Sequence, residues 1–323
     1  MLRDLPPLQP GQRIDEFVIL RPIATSGASA LYLARPADRG RLRERAAGLL
    51  RRLRPRCGLA ALKLARPDFQ ANLHDEHGYL ARVELRHPHL VALYSQRRRP
   101  GEPGPRDLGL ARLPGGEAGD GCTVPYLALA FEPGPTLAHV LRRRRSRPLD
   151  PTLAAHIAHQ TAQALHHLHT HGLIHHDVKP GNIMLRPTRG IADVALIDLG
   201  AAESLRAPRQ RSIYGTRRYL PPERLSGGGA ETLTPHIDVY GLGRALQEML
   251  LGAPEDEDNP APGAGRAPWA GQARISAGLA QLARDATAPC LEERRRRVPS
   301  MRAFIERLEA TPEFRRAPAR LSQ

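Results

Sequence analysis

Lysine occurs only twice in this chain, at Lys63 and Lys179, whereas the other 46 of its 48 Lys and Arg residues (48 − 2) are arginines. Lys179 lies in HHDVKPGN, residues 175–182, together with Asp177 and Asn182. These types suit phosphoryl transfer, because a carboxylate can accept a hydroxyl proton, an ammonium can neutralise a phosphate and an amide oxygen can bind magnesium. A compact ammonium also fits a tight phosphate site better than a guanidinium fork does. The segment HHDVKPGN therefore predicts a loop that handles phosphate.

Further segments of this chemical character follow in a fixed order. LIDLGAA at 196–202 contains Asp198, YGTRRYLPPERL spans 214–225, and DVYGLGRALQEML spans 238–250. With HHDVKPGN they resemble the catalytic loop, the DFG motif, the end of the activation segment and the next helix of eukaryotic-type (Hanks-type) protein kinases. HHDVKPGN alone is moderately specific, because small-molecule phosphotransferases share part of it. The resemblance covers about residues 14–310 and is greatest to bacterial serine/threonine protein kinases.

The resemblance implies an α+β, bilobal protein-kinase fold. A small N-terminal antiparallel β lobe with one key helix would precede a larger, mainly helical C-terminal lobe. The predicted boundaries are an N-terminal extension at 1–13, the N-lobe at 14–132, the C-lobe at 133–312 and a tail at 313–323.

Local patterns agree with this fold class. Short apolar runs bounded by Pro, Gly or charge fill the first third and predict strands, with one helix at about residues 69–86. Helical periodicity dominates after Gly134. The predicted strands are EFVILRPIA, ALYLARP, LAALKLA, LVALYSQ and VPYLALAF, and the predicted C-terminal helices are DPTLAAHIAHQTAQALHHLHTHG, DVYGLGRALQEMLLG and AGLAQLARDATAPCLEE.

Three segments have the character of insertions. Residues 36–58 are Arg-rich, and we favour packing of their apolar helical face on the domain over docking to anionic lipid or a partner. Peripheral membrane contact through this insertion is left open. Residues 97–123 and 252–267 are rich in Pro and Gly and are expected to be loops. The helical face in the first insertion consists of Leu42, Ala46, Leu49, Leu50 and Leu53.

In the C-lobe the resemblance implies a catalytic role for Asp177, Lys179 and Thr216. Asn182 and Asp198 would bind magnesium and, with it, ATP. Two further contacts are implied: Asp238 would anchor the catalytic-loop backbone, and an arginine of LEERRRRVPSM, taken as Arg297, would pair with Glu223. The presence of Lys179 and Thr216 at these positions also resembles the pattern of serine/threonine kinases rather than that of tyrosine kinases.

In the N-lobe the resemblance implies that Lys63 binds phosphate and pairs with a glutamate on the following helix. We choose Glu76, with Asp75 and Glu84 as alternatives. Leu129 takes the gatekeeper position, and residues 130–132 would bond adenine through backbone N–H and C=O groups. The expected nucleotide contacts are Ala24, Ser26, Gly27, Ser29, Leu31, Lys63, Leu129, Ala130, Glu132, Asn182 and Asp198.

The chain departs from the family pattern at two informative places. The glycine-rich loop GxGxxGxV has Ala24, Ser26 and Ser29 at its three glycine positions, which lowers the expected nucleotide affinity. His176 replaces an arginine that usually receives an activation-segment phosphate. We therefore expect activity to be largely independent of phosphorylation at Ser204, Ser212 or Tyr214. Thr216 is excepted, because it is expected to contact Asp177 and Lys179 directly. The eight histidines between residues 156 and 176 are not expected to bind metal, because neither Cys nor an acidic cluster joins them.

Composition places further bounds. The net charge is +15, yet the arginines form separate clumps without interleaved aromatic residues, so nucleic acid is not an expected partner. Cys57, Cys122 and Cys290 are odd in number and far apart, which favours a reducing compartment. Neither a signal peptide nor a membrane span is evident, and a cytoplasmic protein is expected.

The expected function is an ATP- and magnesium-dependent protein serine/threonine kinase that acts on protein substrates. The first alternative is a weak pseudokinase or signalling scaffold, favoured by the poor glycine-rich loop. A small-molecule kinase is a second, disfavoured by Thr216, the PPE segment and Asp238. An anion-binding adaptor built on the arginine clumps is a third.

Overall fold

The computed structural model describes residues 7–37, 58–94, 108–113, 122–144, 147–187, 193–206, 215–227, 232–252 and 274–316. The chain divides into two compact units, Met1–Pro133 and Gly134–Gln323. The helix predicted over Leu42 to Leu53, Ser212, Tyr214 and nearly all of the segment 252–267 lie outside the described residues. Within the described ranges, no helix has the length and apolar character needed to cross a membrane.

The first unit contains a six-stranded antiparallel sheet in the order β1-β2-β3-β4-β6-β5. Apolar side chains alternate along its strands and bury one core cluster that includes Phe17, Leu62 and Tyr126. The strands are β1 (Arg13–Ile14), β2 (Phe17–Thr25), β3 (Ser29–Pro36), β4 (Ala60–Ala65), β5 (Leu108–Leu113) and β6 (Cys122–Ala130).

Two expectations for this sheet were wrong. Residues 108–113 lie within a predicted loop but form the edge strand β5, because Gly109, Ala111 and Leu113 alternate inward. LVALYSQ was expected to be a strand, whereas its described residues, 90–94, form isolated bridges, such as that of Leu93 to Leu129, and belong to no strand. The Pro- and Gly-rich flanks of LGLARL had concealed its alternation.

One α-helix of the first unit, α1 (Gln70–Leu80), is shorter than the predicted 69–86. A 3-10 turn precedes it at Pro67–Phe69 and another follows at Val83–Leu85. Leu73, Glu76 and Leu80 are its buried side chains. A carboxylate thus occupies a core-facing helical position, where burial is costly unless a partner compensates the charge.

The second unit is mainly helical. Its longest helix begins at Pro151, capped by the Asp150 carboxylate, which accepts the N–H groups of Thr152 and Leu153. AGLAQLARDATAPCLEE forms two helices, because the chain leaves the helix at Thr287, shortly before Pro289. The helices are α2 (Leu137–Arg143), α3 (Pro151–Thr170), α4 (Pro222–Leu225), α5 (His236–Leu251), α6 (Ala277–Ala286), α7 (Leu291–Arg297), α8 (Met301–Glu309) and α9 (Pro312–Arg315).

Two short antiparallel ribbons position the loops of this unit. Strand β7 (Leu173–Ile174) pairs with β10 (Glu203–Ser204). Strand β8 (Ile183–Arg186) pairs with β9 (Asp193–Leu196). The catalytic loop therefore runs between β7 and β8, and its two ends are fixed by backbone pairing.

Candidate active site

Lys63 and Glu76 form an ion pair in the first unit. Lys63 lies on β4 opposite Leu31 of β3, and Glu76 lies on the buried face of α1. Lys63 Nζ donates to Glu76 Oε2 at 2.6 Å, with side-chain exposures of 15% and 0%. The helix phase selects Glu76 among the candidate acids, because it turns this residue into the core beside β4.

The turn between β2 and β3 is closed by its own serine. Ser26 Oγ accepts the backbone N–H groups of Ala28 (3.2 Å) and Ser29 (3.1 Å), and Ser26 N–H donates to the Ser29 carbonyl at 2.9 Å. Among the described residues, and apart from the two chain neighbours of Gly27, no atom lies within 4 Å of a Cβ built on this glycine. The hydroxyl thus engages two N–H donors of the kind that bind phosphate oxygens in glycine-rich loops.

The predicted adenine-binding stretch is partly engaged within the first unit. Ala130 N–H donates to the Ala92 carbonyl at 2.8 Å, and Phe131 N–H donates to Leu59 at 3.1 Å. Adenine bonding through these two N–H groups is therefore not available in this arrangement. Leu129 is buried at 7% exposure on β6.

Three hydrogen bonds and one ion pair hold the Asp177 carboxylate. Lys179 Nζ lies 2.7 Å from Oδ2, and Asn182 Nδ2 donates to the same oxygen at 3.0 Å. The backbone N–H and the hydroxyl of Thr216 both donate to Oδ1 at 3.1 Å. Lys179 Nζ also donates to Thr216 Oγ1 at 2.7 Å. The structure thus brings together four residues that the sequence separates by up to 39 positions.

Gly215 permits the approach of Thr216. Its φ is +112°, and a Cβ there would lie 2.9 Å from the His176 carbonyl oxygen and 3.0 Å from a Leu220 methyl carbon. A side chain would be strained by the backbone and obstructed by these neighbours. The glycine therefore lets the end of the activation segment lie directly on the catalytic loop.

Asp238 anchors the catalytic-loop backbone, as predicted. Its carboxylate is fully buried and accepts the N–H groups of His175 (2.8 Å) and His176 (2.9 Å). His169 Nε2, which the sequence did not single out, lies 2.8 Å from Oδ2. Burial would raise the pKa of Asp238, but the hydrogen bonds and charges of His169 and His175 lower it overall. The carboxylate is therefore ionised where it binds the loop.

The two predicted magnesium ligands flank the β8–β9 ribbon. Asn182 precedes β8, Asp198 follows β9, and Ile197 N–H donates to the Asn182 carbonyl at 2.9 Å. Asn182 Nδ2 donates to the Asp177 carbonyl at 2.8 Å as well as to its carboxylate, so its Oδ1 is the atom suited to a metal. Asp198 has φ +67° and accepts Gly200 N–H at 3.2 Å. An amide oxygen and a carboxylate are hard donors that fit magnesium.

The segment after Thr216 is fastened to α5. Tyr219 donates its hydroxyl to Glu248 at 3.0 Å, and Arg218 Nη2 lies 2.8 Å from the other oxygen of that carboxylate. Burial raises the pKa of Tyr219, and the charge of Glu248 raises it further, so the phenol stays protonated as a donor. No motif in the sequence had pointed to this contact.

The arginine that pairs with Glu223 is Arg294, so the choice of Arg297 was wrong. Arg294 is fully buried, donates to Glu223 and to the Ala288 carbonyl (2.5 Å), and lies 5.3 Å from the Tyr240 ring centroid. Burial lowers its pKa, which the charge of Glu223 opposes. Arg297 instead lies on the exposed side of α7 and pairs with Asp285 at 3.0 Å.

The histidines of α3 and the following loop have structural contacts. His159 Nε2 lies 2.8 Å from Glu309, and His169 contacts Asp238. His175 Nδ1 accepts Asp177 N–H at 3.3 Å, so the His175 ring helps to hold the loop backbone. Over the described ranges, no group of three or more His, Cys, Asp or Glu side chains could hold a metal ion.

The protein kinase domain family matches residues 59–262, more than half of the chain, and the chain therefore belongs to this family. It is 34% identical over 175 residues to the serine/threonine-protein kinase PknB of Mycolicibacterium smegmatis, covering 53% of this chain and 24% of PknB. PknB of Mycobacterium leprae is 32% identical over 174 residues, with the same coverage. The match thus spans about a quarter of the length of these curated relatives.

Solved structures support the same fold. The PknI kinase domain of Mycobacterium tuberculosis aligns with a TM-score of 0.61 and 20% identity, covering 94% of this chain and 99% of that domain. At this identity the likeness establishes the bilobal α+β kinase fold. It makes no statement about substrate.

Proposed function

We propose that this chain is an ATP- and magnesium-dependent protein serine/threonine kinase. The strongest support is the hydrogen-bonded arrangement of Asp177, Lys179 and Thr216, in which a carboxylate, an ammonium and the activation segment are held together. Phosphoryl transfer needs little covalent chemistry from the protein, so positioned charges of this kind are its main requirement.

Each group has a distinct proposed role. The Asp177 carboxylate would orient the acceptor hydroxyl and take its proton, and Lys179 would neutralise charge on the transferring phosphate. Asn182 and Asp198 would hold magnesium, and Lys63, oriented by Glu76, would bind a phosphate of ATP. When bound, ATP and magnesium supply the phosphoryl group and the positive charge that stabilises its transfer.

The nucleotide base would lie along the stretch from Leu129 to Glu132. We propose contacts through the Ala130 carbonyl and the Glu132 backbone, because the Ala130 N–H group is engaged by Ala92. The residues proposed to line the phosphate turn are Ala24, Ser26, Gly27, Ser29 and Leu31.

The proposed acceptors are serine and threonine side chains of proteins. Lys179 contacts both Asp177 and Thr216, as the resemblance to serine/threonine kinases implies. We place the enzyme in the cytoplasm, where ATP is available and scattered cysteines stay reduced.

The test is transfer of label from γ-labelled ATP to the protein itself or to a generic basic protein. Asp177→Asn should reduce transfer by about 10²–10⁴-fold, the range typical of a general base. The matched control is Asp193→Asn, which removes a carboxylate of the same unit that pairs with Arg186 at 3.2 Å. Equal transfer by wild type and Asp177→Asn, or no transfer by wild type, would favour the pseudokinase alternative.

A further inference from the structure

His176 is the residue at which both ends of the activation segment meet the catalytic loop. Its N–H donates to Asp238 at 2.9 Å, and a Cβ built on Gly215 would lie 2.9 Å from its carbonyl oxygen. Its imidazole Nε2 lies 3.6 Å from Glu203 Oε2. The backbone of His176 has φ +68°, in the left-handed region that non-glycine residues seldom adopt. These contacts hold the residue in that conformation.

Backbone pairing fixes the position of Glu203. This residue lies on β10 directly opposite Ile174 of β7, and the N–H of Leu205, two residues further on, donates to the Gly172 carbonyl at 2.9 Å. Strand β7 leads straight into the catalytic loop. The start of the activation segment is thus tied to the loop two residues before His176.

The Glu203 and His176 side chains are both buried, with exposures of 10% and 2%. A buried carboxylate is costly unless a donor or a positive charge compensates it. An imidazole that faces a carboxylate favours the form with a proton on the facing nitrogen, whether the ring is neutral or charged. At 3.6 Å the attraction is electrostatic rather than a hydrogen bond, and burial shields it from salt.

We propose that Glu203 is a positioning residue that acts through His176. Its carboxylate holds the imidazole and, with it, the backbone that carries Asp177. The Glu203 carboxylate then supplies the negative charge that an activation-segment phosphate would otherwise supply to order the catalytic loop. The effect on turnover rests on the proposed kinase function, whereas the effect on loop order does not.

Four variants test this: Glu203→Gln, His176→Gln, the double variant and Glu306→Gln. The last is the matched control, because Glu306 pairs on the surface with Arg302 at 2.8 Å and 59% exposure. Glu203→Gln should lower kcat by about 10- to 100-fold, since a ~1 Å misplacement of a reacting group can cost 10²-fold. KM for ATP should stay within about twofold, and Glu306→Gln should behave as wild type.

The decisive readout is coupling. In the His176→Gln background, Glu203→Gln should lower kcat no further. A loss of equal size in both backgrounds, a change in KM alone, or no loss would overturn the proposal. If Glu203→Gln does not fold, Glu203→Asp keeps the charge and should lose about two- to tenfold in kcat, again only when His176 is present.

Hydrogen exchange separates this proposal from the kinase proposal. Glu203→Gln should accelerate amide exchange at residues 173–177 and 203–205 by about tenfold relative to wild type. The double variant should exchange no faster than Glu203→Gln does. If wild type transfers no phosphate but this pattern holds, the positioning contact stands and the kinase function fails. Unchanged exchange in Glu203→Gln would overturn the positioning role even in an active enzyme.

Discussion

Replacement of Asp238 by Asn is expected to loosen the catalytic loop. The carboxylate accepts two backbone N–H groups and lies 2.8 Å from His169 Nε2, while its own exposure is 0%. The asparagine amide has one acceptor oxygen, so one backbone N–H would face an NH₂ group. An unsatisfied buried donor costs about 1–3 kcal/mol, and weaker bonds to the remaining partners add about 1 kcal/mol.

The expected loss of unfolding free energy is therefore about 2–4 kcal/mol, or about 4–16 °C in the melting temperature of a unit of this size. We also expect kcat to fall at least about tenfold, since the loop that carries Asp177 is displaced. Thermal unfolding and label transfer by the folded enzyme measure the two effects. The fall in kcat is expected to come from the lost contact of residue 238 with the catalytic-loop backbone, rather than from the lower stability of the fold.

Asp285→Asn is the matched control. Asp285 is also buried, but it pairs with Arg297 (3.0 Å) and Arg307 (2.7 Å) away from the catalytic loop. The Asp285→Asn variant should have a lower melting temperature than wild type and an unchanged kcat. The reasoning fails if Asp238→Asn melts and turns over as wild type does, or if both variants lose kcat equally.

Four other outcomes are expected. The stability difference between wild type and Asp238→Asn should be full at neutral pH and shrink as pH falls below 3.8, because the stability from a lowered pKa is complete above the ordinary value and is lost as pH falls through the lowered one; acid unfolding curves measure this. Ser26→Gly should lower KM for ATP about two- to tenfold by releasing two backbone N–H groups to phosphate, and a raised KM would contradict the proposed self-capped turn. Lys63→Arg should lower label transfer at least about tenfold despite the retained charge, because the broad guanidinium cannot take the place of the compact Nζ, which lies 2.6 Å from Glu76 Oε2; wild-type transfer would refute this. Arg294→Lys should cost about 3–5 kcal/mol in denaturant unfolding, whereas exposed Arg297→Lys should cost less than about 1 kcal/mol, and equal costs would contradict the assigned pairing.

Contacts that depend on short motifs could be predicted from the sequence. HHDVKPGN and the threonine before PPE implied that Asp177, Lys179 and Thr216 meet, and the structure brings them within hydrogen-bonding distance. Asp238 likewise binds the loop backbone as expected. Such contacts are predictable because each motif fixes both the residue types and the order of the segments that meet.

Contacts that depend on helix phase or strand register were less accessible. The four arginines of LEERRRRVPSM cannot be distinguished by residue type. Because α7 begins at Leu291, Arg294 faces the core and Arg297 faces outward. Strand β5 was hidden by the composition of its flanks. Glu203 belongs to no motif, and its approach to His176 follows only from the two-residue pairing of β10 with β7.

The most direct test of the kinase assignment is mass spectrometry of a protein substrate incubated with ATP, magnesium and either wild type or Asp177→Asn. The assignment predicts new phosphate on serine and threonine residues with wild type and at least about 100-fold less with the variant. Absence of phosphate with wild type, phosphate confined to tyrosine, or equal phosphate with both proteins would contradict it.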